Sequence, residues 1–306
     1  MADLVLAVDV GGTKMAAGLV STEGEVVERA QVPTRVAEAG TDGEVLWADL
    51  AALVEGVLGS VAAPAGAASD RVVACGAGCG GPMSLGGEEV SPLNIPAWRS
   101  FPLRSRLASL TGVPTFVDND AKALALGEGW RGAAAGRRDY LAMVVSTGVG
   151  GGIVLDGRLL QGRLGNAGHI GHVVVEPEGR ECVCGGRGCL EAEASGTAIA
   201  AVTGQPARLA PPAVVVRAGT LVGRAVASVV NLLDLPLAVA SGSVALGFGE
   251  PFFAAAQEEM RRRCGLSFAR DARIVPGALG DLGPLVGAAR LGLLGAGLAP
   301  DMETAR

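Results

Sequence analysis

The chain has 306 residues, a formal net charge of −6 and a pI near 5.1, with 49% hydrophobic but only 3% aromatic residues. That length suits one large domain or two medium ones, and the acidic balance argues against a nucleic-acid surface. Mean hydropathy is high at +0.41, yet uncharged stretches such as 235–249 are too short and too rich in Gly and Ser to span a bilayer. The N-terminus lacks the basic region and cleavage site of a signal peptide. We therefore expect a cytoplasmic protein without nucleic-acid or membrane partners.

Strand and helix patterns alternate along the chain. Residues 4–32 predict two or three strands, with tight turns at Gly11-Gly12 and Glu23-Gly24. The later patterns predict, in order, a helix over 42–63, a strand over 71–77, a helix over 103–110, a strand over 113–117, a helix over 121–134, a hairpin over 140–155, a helix near 220–233, a strand over 237–240, and helices over 251–263 and 283–294. This alternation predicts an α/β protein. A glycine-turn hairpin in each half suggests two similarly folded halves.

Both hairpins have turns that suit phosphate binding. The first turn comprises Asp9, Gly11, Gly12, Thr13 and Lys14, and the second lies in the run 146–152, STGVGGG, which includes Thr147 and Gly148. Glycines let backbone N–H groups approach a phosphate, a Thr hydroxyl adds a donor, and an Asp at the strand end can hold Mg²⁺. Either turn alone is equally an ordinary hairpin turn, and the spacing is not that of a Walker A motif. The pair favours two phosphate loops that face a cleft.

A third motif, Asp118-Asn119-Asp120, follows a predicted strand and leads into a helix. A carboxylate there can accept the proton of a substrate hydroxyl, as the bases of kinases do, and the amide can orient that hydroxyl. Asn and Asp are also favoured N-caps, so one of the three is expected to cap the helix.

Both histidines of the chain and three of its six cysteines lie between Gly165 and Glu191. The four candidate metal ligands are His172, Cys182, Cys184 and Cys189. One imidazole and three thiolates make a closed tetrahedral zinc site, and the glycines of 185–188 let the chain fold back toward the metal. A disulfide would need an oxidising compartment. The segment therefore predicts a structural Zn²⁺.

These motifs, in this order, resemble the ROK family of sugar kinases and sugar-responsive repressors. The resemblance implies the two-lobed, actin-like ATPase (ribonuclease H-like) fold, with ATP, its Mg²⁺ and a hexose in the cleft between the lobes. It implies that Asp120 is the general base on the sugar 6-hydroxyl and that Asn119 contacts the neighbouring hydroxyl. It also implies that His172 ligates zinc and contacts the sugar, and that Glu191 accepts hydrogen bonds from sugar hydroxyls. Gly242 falls in the adenosine-side glycine turn of the family, where Ser241 replaces a glycine.

The resemblance also implies the domain organisation. The small lobe would cover 1–118, completed by a C-terminal helix over 291–306. The large lobe would cover 119–290 and contain the zinc-binding segment 165–191. A homodimer or homotetramer is a further expectation from the family.

His169 is the main departure from the family pattern, because glucokinases of the family carry Glu there. A neutral imidazole offers one donor and one acceptor, whereas a carboxylate only accepts. A donor at this position could suit an N-acyl carbonyl, or it could simply keep one hydrogen bond to an ordinary hexose. Glucose and N-acylmannosamine both remain candidate substrates, with ATP or polyphosphate as the donor.

The alternative to an enzyme is a non-catalytic sugar sensor. The repressors of the family carry a helix-turn-helix domain in front of the kinase-like body. Because the first phosphate turn begins at Asp9, no DNA-binding domain is expected before it, and the net acidity agrees. An ATP-dependent hexose kinase is the favoured prediction.

Overall fold

The computed structural model describes residues 2–35, 42–60 and 70–299. The chain divides into two compact units, each with its own sheet. The first comprises residues 1–131, 161–167 and 282–306, and the second comprises 132–160 and 168–281.

Strands and helices alternate through the described residues. The strands are β1 (Asp3–Val10), β2 (Lys14–Ser21), β3 (Val26–Pro33), β4 (Arg71–Cys79), β5 (Thr115–Asn119), β6 (Tyr140–Val145), β7 (Val149–Leu155), β8 (Arg158–Leu159), β9 (Leu237–Ser241) and β10 (Arg273–Pro276). The α-helices are α1 (Gly43–Gly59), α2 (Leu103–Thr111), α3 (Asp120–Arg131), α4 (Leu190–Ala194), α5 (Gly196–Thr203), α6 (Pro212–Leu233), α7 (Ser243–Phe248), α8 (Glu250–Arg263) and α9 (Gly283–Gly295).

The two sheets have the same topology. In the first unit the strand order is β3-β2-β1-β4-β5, where β1, β2 and β3 form an antiparallel meander and β4 and β5 run parallel to β1. In the second unit β8, β7 and β6 form the meander, and β9 and β10 continue parallel to β6. The expectation of two similarly folded halves is thereby confirmed.

The first unit buries both faces of β1. Leu4, Leu6, Val8 and Val10 pack with the apolar residues of α1 and α2, whereas Val5 and Ala7 pack against α9. This alternation follows from the two-residue period of a strand. Helix α1 begins at Gly43 because the carboxylate of Asp42 accepts a hydrogen bond from the N–H of Glu44.

Small residues let helices approach the first sheet closely. A Cβ at Gly76 of β4 would lie 1.8 Å from the carbonyl oxygen of Ala288 in α9, and one at Gly287 would lie 2.1 Å from the carbonyl oxygen of Ala123 in α3. Helix α3 therefore packs against α9 within the first unit, which extends past the predicted small-lobe boundary at residue 118. Within the described residues the last helix is α9, which ends at Gly295, and residues 300–306 of the predicted C-terminal helix lie outside them.

The second unit is built around α6 and α8. A Cβ at Gly219 would lie 2.3 Å from the carbonyl oxygen of Phe252, and one at Gly223 would lie 2.2 Å from that of Ala256. Among the described residues, α6 is also the one helix long and apolar enough to cross a membrane, but about half of its apolar window is buried against its neighbours. Because an amphipathic helix that packs in this way is a core helix, we assign it to the core of the second unit.

Candidate functional site

The first glycine turn joins β1 to β2 in the first unit. The N–H of Gly11 donates to the carbonyl oxygen of Lys14 at 3.0 Å, which closes the turn. Thr34 holds it from the side: its N–H donates to the carbonyl oxygen of Thr13 at 3.0 Å, and its hydroxyl donates to that of Gly11 at 2.8 Å. The backbone of the turn is thus fixed before any ligand binds.

Gly12 lies against Asn94, and a Cβ at Gly12 would lie 2.7 Å from the Cβ of Asn94. Glycine is therefore required here by close packing. Thr13 and Lys14, by contrast, are exposed. A hydroxyl and an ammonium group beside a fixed turn can bind an anion such as a phosphate.

Two carboxylates lie near each other at the ends of the parallel strands. Asp9 is level with Gly78 of β4, and a Cβ at Gly78 would lie 3.2 Å from the Cα of Asp120. The pKa of Asp9 is raised to about 7, mainly by burial and secondly by the charge of Asp120, while Lys14 acts in the opposite direction. The buried carboxylate of Asp9 is an oxygen donor that fits Mg²⁺, and a cation there would compensate its repulsion with Asp120.

Asp118 is engaged in a buried network of the first unit. Its carboxylate pairs with the ammonium group of Lys122 at 2.7 Å and accepts a hydrogen bond from the amide of Gln161 at 3.3 Å. Lys122 is 1% exposed and also donates to Gln161 at 2.5 Å and to the carbonyl oxygen of Gly165 at 2.9 Å. Asp118 and Lys122 therefore hold the start of α3 to the segment 161–167.

Asn119 caps α3. Its side-chain oxygen accepts hydrogen bonds from the N–H groups of Ala121 at 3.0 Å and Lys122 at 3.4 Å. The expectation that one of the three polar residues caps the helix is confirmed. Because the oxygen faces the backbone, the NH₂ group is the part of this side chain that can contact a ligand.

The second glycine turn joins β6 to β7 in the second unit. Ser146 donates its N–H to the carbonyl oxygen of Gly148 at 2.9 Å. The first residues of α5 hold the turn: the N–H of Gly196 donates to Ser146 at 2.7 Å, and the hydroxyl of Thr197 donates to the carbonyl oxygen of Thr147 at 2.9 Å. This turn is also fixed before a ligand binds.

Gly242 lies beside the same turn. It has a φ of +95°, and a Cβ there would lie 2.5 Å from the carbonyl oxygen of Val145. The next residue, Ser243, shares a hydrogen bond with the hydroxyl of Ser146 at 2.9 Å. Thr147, Gly148 and Gly242, which the sequence assigned to phosphate or nucleotide, are therefore neighbours in the second unit.

The four predicted metal ligands come together in the second unit. One ligand atom from each of His172, Cys182, Cys184 and Cys189 can be chosen so that all four lie within 4.8 Å of one another. The Nδ1 atom of His172 is 3.7 Å from the sulfur of Cys182, and the sulfurs of Cys184 and Cys189 are 3.8 Å apart.

These separations fit tetrahedral zinc. A Zn–S bond of about 2.3 Å places two sulfurs of a tetrahedron about 3.8 Å apart, whereas a disulfide needs about 2.05 Å. The pKa of Cys189 is raised to about 12, mainly by burial and then by hydrogen bonds with Cys184 and Cys182. A cation bound among these ligands would be needed to favour the thiolate form of Cys189.

The loop that carries the cysteines is shaped by glycine. Gly188 has a φ of +69°, and a Cβ there would lie 1.6 Å from the carbonyl oxygen of Glu176. The carbonyl oxygen of Gly188 accepts from the N–H of Val175 at 2.8 Å. This pairing brings Cys189 back beside the chain that leaves His172.

Glu191 links the metal cluster to the second glycine turn. It lies in the first turn of α4, two residues after Cys189, and one of its oxygens accepts from the N–H of Val149 at 2.8 Å. The rings of His169 and His172 have centroids 6.0 Å apart. Glu191, His169 and His172 thus all lie near the cluster, in one unit.

Several residues that hold these groups in place were not predictable from the sequence. Among them are Thr34, Gln161, Glu193, Thr197 and Ser243. Each acts on a partner many positions away in the chain, and a single sequence gives no signal for such a pairing. The one available signal was the scarcity of lysine, since Lys122 is one of only two in the chain.

Comparisons with known proteins agree with these motifs. The model of the ROK family matches residues 5–293. A glucokinase of Thermotoga maritima is 41% identical over 199 residues, which are 64% of this chain and 58% of that protein. An N-acetylmannosamine kinase of Escherichia fergusonii is 37% identical over 259 residues, which are 80% of this chain and 84% of that protein. The chain thus matches less than two thirds of the length of the Thermotoga relative.

Solved structures extend the likeness to the fold. A ROK family glucokinase from Streptomyces griseus, in complex with glucose and AMPPNP, has a TM-score of 0.81 at 29% identity and covers 95% of this chain and 99% of its own. A ROK hexokinase from Thermus thermophilus has a TM-score of 0.79 at 35% identity, with 95% and 98% covered. The α/β fold is that of the actin-like ATPases, as the sequence motifs implied. Since the family model matches nearly the whole chain, the protein belongs to the ROK family.

Proposed function

We propose that the protein is an ATP-dependent sugar kinase that transfers the γ-phosphoryl group of Mg-ATP to the 6-hydroxyl of a hexose. The observation that carries the proposal is the distinct surroundings of the three polar residues at the start of α3. Asp118 is bound by Lys122, and Asn119 caps the helix through its oxygen. Asp120 begins α3, and its charge acts on the buried Asp9 at the end of β1, which places this carboxylate beside the first glycine turn.

Asp120 is the general base in this mechanism. Phosphoryl transfer needs little covalent help from the protein, so catalysis depends on positioning and on electrostatic stabilisation. Asp120 accepts the proton of the 6-hydroxyl as the phosphoryl group moves to that oxygen. The amide NH₂ of Asn119 donates to a sugar oxygen and orients the acceptor.

Each glycine turn has groups that suit a phosphate of ATP. The first offers backbone N–H groups, the hydroxyl of Thr13 and the ammonium group of Lys14, and the second offers backbone N–H groups and the hydroxyl of Thr147. Asp9 would hold Mg²⁺, which neutralises phosphate charge when it is bound. The raised pKa of Asp9 supports this role, because a neighbouring cation would favour its ionised form.

Zn²⁺ bound by the four ligands would orient His172 for hydrogen bonding to the sugar. The Nδ1 atom of His172 faces the thiol of Cys182, so Nε2 is the ring atom that hydrogen-bonds a sugar hydroxyl. Ligation of one nitrogen fixes the tautomer and the orientation of the ring. Glu191 keeps one oxygen on the N–H of Val149 and uses the other to accept from a sugar hydroxyl.

His169 is the residue that separates glucose from N-acylmannosamine in this proposal. Its imidazole can donate to an acyl carbonyl, which a carboxylate cannot do. The names of the relatives support both sugars, since one is a glucokinase and another an N-acetylmannosamine kinase.

A coupled ADP-release assay tests the function. Zinc-loaded protein and Mg-ATP are incubated with glucose, N-acetylmannosamine, mannose, fructose or N-acetylglucosamine. Polyphosphate is tested as a second donor, and turnover with it is measured as the formation of sugar phosphate. The proposal expects clear turnover of at least one hexose. Its matched variant is His169→Glu, which should lower kcat/KM for N-acetylmannosamine more than for glucose if the ring reads the acyl group. Equal effects on both sugars would make His169 a neutral replacement for Glu.

Absence of turnover with every sugar and both donors would overturn the kinase proposal. Binding of a sugar without turnover, measured by calorimetry on the same preparation, would then favour the sensor.

A further inference from the structure

Glu193 is a buried carboxylate that the proposed reaction does not use. It lies in α4, two residues after Glu191, and its side chain is 2% exposed. A charge so deeply buried must be compensated by partners, since its desolvation costs several kcal/mol.

Two arginines provide that compensation. One oxygen of Glu193 accepts from the backbone N–H of Arg180 at 2.6 Å. The other accepts from the guanidinium groups of Arg180 at 3.1 Å and Arg217 at 2.7 Å. Burial alone raises the pKa of Glu193, but these hydrogen bonds outweigh it and the pKa lies at about 2. The carboxylate is therefore charged throughout the physiological range.

Arg180 connects Glu193 to the segment that contains the candidate metal ligands. It lies two residues before Cys182, and its carbonyl oxygen accepts from the N–H of Gly188 at 2.8 Å, next to Cys189. The segment 180–189, which carries the three cysteines, is called the cysteine loop. Glu193 thus binds Arg180, where this loop begins and where its closing hydrogen bond from Gly188 is accepted. The same glutamate shares a single helical turn with Glu191. A helix of five residues cannot hold itself in place by its own hydrogen bonds, so its orientation depends on such contacts.

Helix α6 supplies the rigid support. Arg217 and Arg224 lie seven residues apart, which places both on the same side of this 22-residue helix. Arg217 binds Glu193, while Arg224 binds the carboxylate of Glu176 at 2.6 Å and the carbonyl oxygen of Val175 at 2.7 Å. One helix therefore holds the segment that leaves His172 and the helix that carries Glu191.

We propose that Glu193, bound between Arg180 and Arg217, is a positioning residue that fixes the cysteine loop and Glu191 relative to each other. The retention of zinc and the binding of sugar would then depend on one carboxylate that touches neither. The zinc half of this inference is independent of the reaction, whereas the sugar half rests on the proposed function.

The test is the rate of zinc transfer from the loaded protein to a chelating dye, measured without sugar or ATP. Glu193→Gln keeps the shape of the side chain but removes its charge. Because outer partners of metal sites typically contribute 10- to 100-fold to affinity, we expect zinc release at least about tenfold faster than in the unchanged protein. The matched control is Glu258→Gln, which removes an exposed carboxylate paired with Arg261 on α8 and should leave the rate unchanged.

A second readout separates positioning from general loss of structure. With saturating zinc, Glu193→Gln should raise the KM for the sugar by about tenfold and change kcat and the KM for ATP much less. A general loss of folded protein would lower kcat and leave both KM values unchanged. Arg217→Lys keeps the positive charge but loses the planar guanidinium group. Its zinc release rate should lie between those of the unchanged protein and Glu193→Gln. This variant replaces Glu193→Gln as the test if Glu193→Gln does not fold.

Zinc release from both variants at the rate of the unchanged protein would overturn the inference and leave the kinase proposal intact. Conversely, a protein inactive on every sugar would refute the kinase proposal, while the zinc release rates would still decide the role of Glu193.

Discussion

The three carboxylates at the ends of β1 and β5 differ in what surrounds them. Asp118 is paired with Lys122, and Asp9 is buried beside the charges of Asp120 and Lys14. Asp120 begins α3, where one of its oxygens accepts from the N–H of Ala121 at 2.8 Å. In the proposed reaction Asp118 has a structural role, Asp9 binds a cation and Asp120 accepts a proton, and each role predicts a different response to the same Asp→Asn change.

Asp120→Asn should lower kcat for the best hexose by at least about 100-fold, because a positioned general base typically contributes 10²- to 10⁴-fold. Sugar binding should survive, since the amide keeps the shape of the side chain. The measurements are steady-state turnover and calorimetric titration with the sugar. Near-normal turnover of this variant would move the role of base to Asp118.

Asp118→Asn is the matched change two residues earlier in the chain, in β5. It leaves the ammonium group of Lys122 buried without its charge partner, and such losses destabilise proteins by about 3–5 kcal/mol. We expect a lower melting temperature but turnover within about threefold per folded molecule. A loss of turnover as large as that of Asp120→Asn, at unchanged stability, would contradict this assignment.

Asp9→Asn should change stability in a manner that depends on pH. The pKa of Asp9 rises from 3.8 to about 7 on folding, so between these values the folded state binds more protons than the unfolded state. Its contribution to stability is therefore present below pH 4 and is lost as the pH rises toward 7. Without nucleotide or Mg²⁺, the variant should be more stable than the unchanged protein at pH 8, by up to about 4 kcal/mol at about 1.4 kcal/mol per pKa unit. Urea unfolding at pH 5 and pH 8 measures this, and an equal difference at both values would refute it.

At the level of elements, glycine has opposite roles in two helices. In α6 a Cβ at Gly223 would lie 2.2 Å from the carbonyl oxygen of Ala256, whereas at Gly56 of α1 a Cβ would meet nothing within 4 Å among the described residues. The first glycine permits close helix packing, and the second only weakens its helix.

Gly223→Ala should therefore destabilise the protein by about 1–3 kcal/mol, the usual cost of overpacking. Gly56→Ala should stabilise it by about 0.5–1 kcal/mol, because alanine is the better helix former. Denaturant unfolding of the two variants provides the comparison. Destabilisation by both changes to the same extent would show that the packing of α6 against α8 is not the deciding factor.

Most elements could be predicted from local patterns, because strand alternation, glycine turns and helix caps act over a few residues. The predicted helix near 220–233 begins earlier, at Pro212, since proline is accepted in the first turn. The short helices α4 and α5 were missed because Ser195 ends one and caps the other, which leaves no periodic run long enough to detect. The metal ligands were predictable from their spacing, but Glu193 was not, since its arginine partners lie 13 and 24 positions away.

At the scale of the whole molecule, one topology occurs twice with different additions. Each unit has a three-stranded meander, a glycine turn between its first two strands, and two parallel strands beyond. The second unit additionally carries the four candidate metal ligands, between β8 and α4. Zinc should therefore affect the binding of sugar more than the binding of nucleotide phosphates, because the turns are held by Thr34 and by α5 rather than by the cysteines.

Thermal unfolding of the whole protein tests this separation. A sugar at 100 times its Kd should stabilise the zinc-loaded protein by about 2.7 kcal/mol, as mass action requires. After zinc is removed by a chelator, the same sugar should give almost no stabilisation, because His172 and Glu191 are no longer held, whereas a non-hydrolysable ATP analogue with Mg²⁺ should still raise the melting temperature. Readdition of Zn²⁺ should restore the effect of the sugar. If the zinc-free protein is stabilised by the sugar as strongly as the loaded protein, the cluster does not position the sugar-binding residues.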